Sequence, residues 1–311
     1  MDNYSIRVLQ KIIVLFIAMI AGFIIKKAKI CDKSSTKSLS GILASITNPC
    51  LIISSLQTDC TSQKLYMALK ILALSLVIHA AMAVLSPLIF KPIKNKKESA
   101  VYSFAMTYGN CGFMGYPIMM AIFGSQDGLY YGVIYTVMFN IFCWSHGVFL
   151  MSGDFEKKTF IKKLLNPVLI SVFVGFFLFA TNIRLPEVIN EGITMLGDMT
   201  IPLSMLIIGS LLADINFSAI FKNPMLYIFS FIKLFIIPFA VMAICIFIGL
   251  DKTLAIIAVT MAATPAATNT AVLAEVYGGD SNLAAKLVGV STLFCLISMP
   301  IVLKLSEFFI R

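Results

Sequence analysis

Along the chain, long apolar runs alternate with short polar breaks, and charge rarely persists for more than a few residues. A helix that crosses a bilayer needs about 20 mostly apolar residues. Ten runs of that kind, bounded by charges or by Gly, Asn and Pro, can be drawn. They lie at 8–25, 38–56, 65–90, 100–123, 129–151, 164–181, 188–212, 224–250, 254–277 and 283–310. The pattern predicts an all-α integral membrane protein of ten transmembrane helices. The first apolar run meets Lys26, Lys27 and Lys29 at once, with no small-residue cleavage pattern. It therefore reads as a retained helix rather than a signal peptide.

Ten spans also sort the basic residues. One side takes Lys26, Lys27, Lys29, Lys33, Lys37, Lys91, Lys94, Lys96, Lys97, Lys157, Lys158, Lys162, Lys163 and Lys222. The other takes only Arg7, Lys11, Lys64, Arg184, Lys252, Lys304 and Arg311. The positive-inside rule puts the lysine-rich loops in the cytoplasm and both termini outside, in a multi-pass protein of the cytoplasmic (plasma) membrane.

Composition agrees. Hydrophobic residues make up 59% of the 311 and charged residues 13%, against about 25% charged in soluble domains, and mean hydropathy is +0.94. Membrane lipid is therefore the expected solvent. The net charge of +9 is not concentrated in a hydrophilic segment, so no nucleic-acid partner is implied. The seven cysteines are odd in number and lack CxxC spacing. They read as small apolar fillers, and no metal site is expected.

The halves 1–151 and 152–311 resemble each other. Thr47-Asn48-Pro49 in span two recurs as Thr200-Ile201-Pro202 in span seven, and Ser55-Leu56 as Ser210-Leu211. Span four ends in Phe123-Gly124 with Asp127 and Leu129 beyond; span nine ends in Tyr277-Gly278 with Asp280 and Leu283 beyond. Pro87 and Pro238 occupy spans three and eight. Five spans per half invert the second copy, a 5+5 inverted repeat as in many secondary transporters.

Spans four and nine carry the candidate chemistry. Span four contains Gly109-Asn110-Cys111-Gly112-Phe113-Met114-Gly115-Tyr116-Pro117, and span nine contains Thr264-Pro265-Ala266-Ala267-Thr268-Asn269-Thr270. Glycine costs a helix roughly 1 kcal/mol and proline about 3. Irregular backbone at membrane depth survives only where protein or water covers it. Broken helices meeting there would aim free amide N–H groups and a partial positive charge at one place, which suits an anion. Asn110, Thr264, Thr268 and Asn269 add neutral donors. Close packing of small residues is the competing explanation.

The span-four run, together with the ten-span plan, resembles the auxin efflux carrier family of bacterial permeases and plant PIN carriers. The segment from Thr264-Pro265 to Tyr277 and the later Met299-Pro300 are similar to that family's ending. The resemblance covers nearly the whole chain, and it extends in fold to the bile-acid/sodium symporters. It implies a scaffold of spans one, two, six and seven and a mobile transport domain of spans three to five and eight to ten. Spans four and nine would cross at the substrate site, with Asn110 and Pro265-Ala266 nearest a carboxylate and Gly109, Cys111, Gly112, Thr264 and Asn269 beside them. It leaves room for a homodimer through the scaffold helices. Two departures stand out: Gly109 replaces the crossover proline of the plant carriers, and the linker from Ser152 to Lys163 is short.

The function expected is elevator-type secondary transport of a small organic anion, such as malate, malonate or an auxin-like acid, with no cofactor. Within the spans lie Lys70, His79, His146, Asp198, Lys233, Glu275 and Lys286. Lysines near helix ends can snorkel to the interface. His79, near mid-span, is a candidate proton carrier because histidine titrates near neutral pH, and Lys233 is a second coupling candidate. Sodium ranks below protons, since span nine lacks the Glu and Gln-Asn pattern of the bile-acid symporters. An anion channel, a membrane sensor or a sodium-coupled symporter of bile-acid-like substrates are the alternatives. An intramembrane enzyme is disfavoured: there is no HExxH, no GxSG and no second mid-membrane aspartate beside Asp198. Single-cysteine labelling should find positions 94–97 and 157–163 accessible only from the cytoplasm. Labelling of either cluster from outside overturns the ten-span count.

Overall fold

In the computed structural model, residues 4–153, 166–214 and 223–310 are described. The lysines at 157–163, Lys222, most of the linker after Ser152, and Met1 and Arg311 lie outside the described residues. The described chain forms α1 (Tyr4–Lys27), α2 (Ser34–Ser55), α3 (Ser62–Ile89), α4 (Lys96–Thr107), α5 (Cys111–Phe123) and α6 (Ser125–Ser152). It continues with α7 (Pro167–Ala180), α8 (Glu187–Ala213), α9 (Pro224–Phe247), α10 (Lys252–Ala262), α11 (Asn269–Val276) and α12 (Ser281–Phe309). Seven of these helices are long and apolar enough to cross a membrane: α1, α2, α3, α6, α8, α9 and α12. Helices α5, α7 and α10 are apolar but shorter. The runs predicted at 100–123 and 254–277 are each split, into α4 and α5 and into α10 and α11.

Local chemistry sets the ends. Asp32, Thr61, Asn95, Asn166, Asn223, Asp251 and Asp280 each accept a hydrogen bond from an amide of the helix that follows, satisfying donors with no intrahelical acceptor. Gly124, alone between α5 and α6, has φ +90°, a conformation that favours glycine. Gly278, its counterpart in the sequence repeat, has φ +70°.

Four helices contain a π turn: Leu43–Thr47 in α2, Cys111–Gly115 in α5, Cys143–Gly147 in α6 and Ile232–Ile236 in α9. Three of them lie just before a proline, namely Pro49, Pro117 and Pro238. A helical proline has no N–H to offer the carbonyl four residues back, and its ring clashes there. In each case that residue (Ser45, Phe113 or Leu234) lies within the wider turn. Pro87 and Pro300 sit in α3 and α12 without such a turn, so proline favours the π turn but does not dictate it. In α6 the turn has no proline behind it; Ser145 Oγ donates to the Ile141 carbonyl at 2.5 Å instead.

Helix α1 packs along α8, and α2 packs against α7 and the first part of α8. Gly22 and Gly209 let α1 and α8 approach so closely that a Cβ at either would strike the facing backbone, Leu206 at one and Met19 at the other. Such contacts replace hydrophobic association, which lipid does not drive. The remaining helices pack around two breaks. Between α4 and α5, Tyr108 and Gly109 run extended, antiparallel to Ala266 between α10 and α11. Asn110 N donates to the Pro265 carbonyl at 2.7 Å, and Ala267 N to the Tyr108 carbonyl at 3.0 Å.

Gly109 is required there by space. A Cβ on it would collide with Thr264 Oγ1. Gly109→Ala should therefore lower the melting temperature in detergent, through an overpacking cost of about 1–3 kcal/mol. Gly109→Ala with Thr264→Ala should melt above the single Gly109→Ala variant. A Gly109→Ala protein as stable as the wild type would refute the close approach.

Candidate functional site

The crossing is buried between the helices, and one side of it opens into a cavity of about 90 Å³. Gly109, Asn110, Cys111 and Gly112 form its floor with Ala267, Thr268 and Asn269 from the other break. Phe113 and Tyr116 of α5 continue the wall, and α6 adds Thr136, Phe139, Asn140 and Trp144. The rest of the wall comes from Ala44 and Asn48 of α2 and Val168 of α7. Three of the four π turns thus supply wall residues, in keeping with the frequency of π turns at functional sites.

Two helices begin at this cavity. The first amide N–H groups of a helix have no acceptor of their own and carry the positive end of its dipole. Gly112 and Phe113 lie in the first turn of α5, and Thr268 and Asn269 at the start of α11. The Asn110 carbonyl closes the opening turn of α5, accepting from Met114 N at 3.2 Å and Gly115 N at 3.1 Å. Its side-chain Nδ2 is buried and has no hydrogen-bond partner among the described residues, and the residue as a whole is 4% exposed. An unmet buried amide costs roughly 1–3 kcal/mol, which a ligand acceptor at Asn110 would offset. Thr136 and Asn140 are committed within the protein: Thr136 Oγ1 bonds Tyr116 Oη at 2.7 Å, and Asn140 Nδ2 donates to the Thr136 carbonyl at 2.8 Å.

Of the residues singled out from sequence, Gly109, Asn110, Cys111, Gly112 and Asn269 line the cavity together. Thr264, Pro265 and Ala266 do not; they hold the back of the crossing. Thr264 Oγ1 donates to the Met261 carbonyl at 2.7 Å, and Ala266 N donates to Ser291 Oγ at 3.1 Å. The antiparallel pairing sets Ala266 opposite Gly109, so span nine presents its next residues, Ala267 and Thr268, to the cavity.

His79 and Lys233 are also away from the cavity wall. Lys233 lies in the π turn of α9, and its Nζ donates to the Met106 carbonyl at 2.9 Å. That carbonyl is in the last turn of α4, where a cation meets the negative end of the helix dipole. His79 Nδ1 is 2.8 Å from the Ser75 carbonyl, and the ring packs among Tyr108, Tyr135, Phe139 and Phe142. Tyr108 links this box to the second histidine, since Tyr108 Oη lies 2.9 Å from both His146 Nδ1 and the Phe142 carbonyl. Both histidines of the chain therefore converge on the residue just before Gly109.

Asn48, Thr136, Asn140 and Trp144 were not picked as site residues from sequence. Asn48 stood in the repeated Thr47-Asn48-Pro49 motif, and Thr136 and Asn140 are polar residues one turn apart in an apolar helix. Those were the available signals, and both fit packing equally well.

Comparison with known proteins gives a consistent result. The profile of a family described as "Membrane transport protein" matches twice, over residues 7–159 and 153–303. An uncharacterised transporter of Methanocaldococcus jannaschii, MJ1031, is 26% identical over 305 residues, which cover 92% of this chain and 94% of that protein. Helices apolar enough to cross a membrane, two helix breaks paired beside a cavity, and a family match over nearly the whole sequence agree. The chain is a multi-pass membrane protein that belongs to the membrane transport protein family, that of the auxin efflux carriers.

Proposed function

We propose that this protein is an elevator-type secondary active carrier that moves a small organic anion, a carboxylate, across the cytoplasmic membrane. The observation that carries the reading is the cavity where two helices begin and where the Asn110 amide has no partner. Helix starts and neutral amides favour a negative charge without the cost of burying a cation in the wall. Substrate would be held by Asn110, by the amides of Gly112 and Phe113, and by Thr268 and Asn269, with Pro265 and Ala266 fixing the floor.

The proposal includes ten spans in a 5+5 inverted repeat, with α4–α5 and α10–α11 as the broken fourth and ninth. The double family match and the paired glycine turns at Gly124 and Gly278 support it. Helices α1, α2, α7 and α8 would form the scaffold and the dimer contact. Helices α3–α6 and α9–α12 would move with the substrate, lysine-rich loops in the cytoplasm and termini outside. Proton coupling at His79 belongs to the same reading, with His146 as the second titratable group on Tyr108; sodium coupling ranks below it. If His79 carries the proton, His79→Gln flattens the dependence of uptake on pH between about 5 and 8, and an unchanged profile removes it.

Asn110→Asp tests the site. It keeps the shape but sets a negative charge against the substrate and removes a donor worth about 1–3 kcal/mol. Exchange of labelled carboxylates across proteoliposomes should be abolished or nearly so, while folded yield and melting temperature change little. Exchange at the wild-type rate would mean that the carboxylate binds elsewhere, and flux without saturation or counterflow would identify a channel.

A further inference from the structure

We propose that the cavity at the crossing selects acids carrying one negative charge and a compact apolar body, and rejects dianions of the same size. This narrows the substrate class and rests on the reading of the cavity as the anion site.

The donors are gathered at one end. Asn110, whose buried Nδ2 has no partner among the described residues, lines the floor with the opening turn of α5 and the start of α11. The rest of the lining is uncharged. Ala44, Phe113, Phe139 and Val168 are apolar, Asn48, Tyr116 and Trp144 are neutral, and Thr136 and Asn140 already bond within the protein. Among the described residues, no charged side chain lines the cavity. The cation nearest the floor is Lys233, on the far side of the crossing, where a Cβ on Gly109 would lie 3.5 Å from its Nζ. Its one hydrogen bond is to a carbonyl, and it is paired with no carboxylate among the described residues.

The charge balance follows. One buried ammonium and two helix starts lie behind the floor and compensate one carboxylate held there. A second carboxylate on the same small molecule would meet no cation in the described lining. An ionised group without a partner in such a setting is far more costly to bury than a neutral one. Size keeps the acid small, since the cavity is only about 90 Å³.

The test compares molecules matched in length on the purified full chain. Succinate, its monomethyl ester and butyrate are titrated by thermal shift and by competition in proteoliposome exchange, at about pH 7.5, where carboxyl groups are ionised. Monomethyl succinate and butyrate should bind at least 30-fold more tightly than succinate. Ala44→Lys adds a cation on the apolar side and should raise the affinity for succinate relative to its monomethyl ester by tenfold or more. Succinate binding within threefold of its monomethyl ester would overturn the selectivity and leave the carrier reading intact. If none of the three acids shifts melting or competes, and no other small carboxylate exchanges, both readings fall.

Discussion

The structure depends on one exchange of backbone hydrogen bonds. Two helices are interrupted inside the helical bundle, and each interruption frees amides and carbonyls that need partners away from water. The freed groups find each other. Asn110 N reaches the Pro265 carbonyl, and Ala267 N reaches the Tyr108 carbonyl. The residue between these pairs on one strand has to be glycine because Thr264 fills the space where a side chain would go. The geometry of the candidate site follows from this contact. It brings two helix starts to one floor, beside Asn110, whose buried Nδ2 has no partner among the described residues.

Around that contact the protein satisfies the remaining loose ends with side chains. Lys233 takes a carbonyl at the end of α4, Thr264 takes one at the end of α10, and Ser291 supplies an acceptor to Ala266 N. These residues work from behind the crossing, so polar groups at membrane depth divide into two sets. One set holds the break, and the other lines the cavity, where the Asn110 amide has no partner among the described residues. Lysine at mid-helix looks like a coupling residue in a sequence, yet its observed bond is to a helix end.

The prolines have a related effect on shape. Where one follows a π turn, the helix gains a residue and shifts the face it presents. In α2 and α5 that shift falls beside the cavity, and the turn in α6, which has no proline, contributes Trp144. The wall is therefore built from irregular turns within otherwise regular helices. This places polar and aromatic residues around the floor from within helices.

The sequence by itself determined that the chain is all-helical and lives in a membrane, because apolar length and scarce charge decide that without any tertiary contact. It also located both breaks, since glycine and proline weaken a helix, and it marked Asn110 as a candidate donor at the first of them. Tertiary structure decided which side of each break faces the cavity. Thr264, Pro265 and Ala266 belong to the same short motif as Ala267 and Thr268, and only the antiparallel register, fixed by Gly109 against Ala266, turns the first three inward and the next two outward. It likewise decided that Lys233 caps α4, that both histidines meet at Tyr108, and that Asn48, Asn140 and Trp144 share one wall with residues far away in sequence. Hydrophobic pattern reports how a segment meets its solvent, whereas a site joins segments whose mutual placement depends on packing and hydrogen bonds that span the chain.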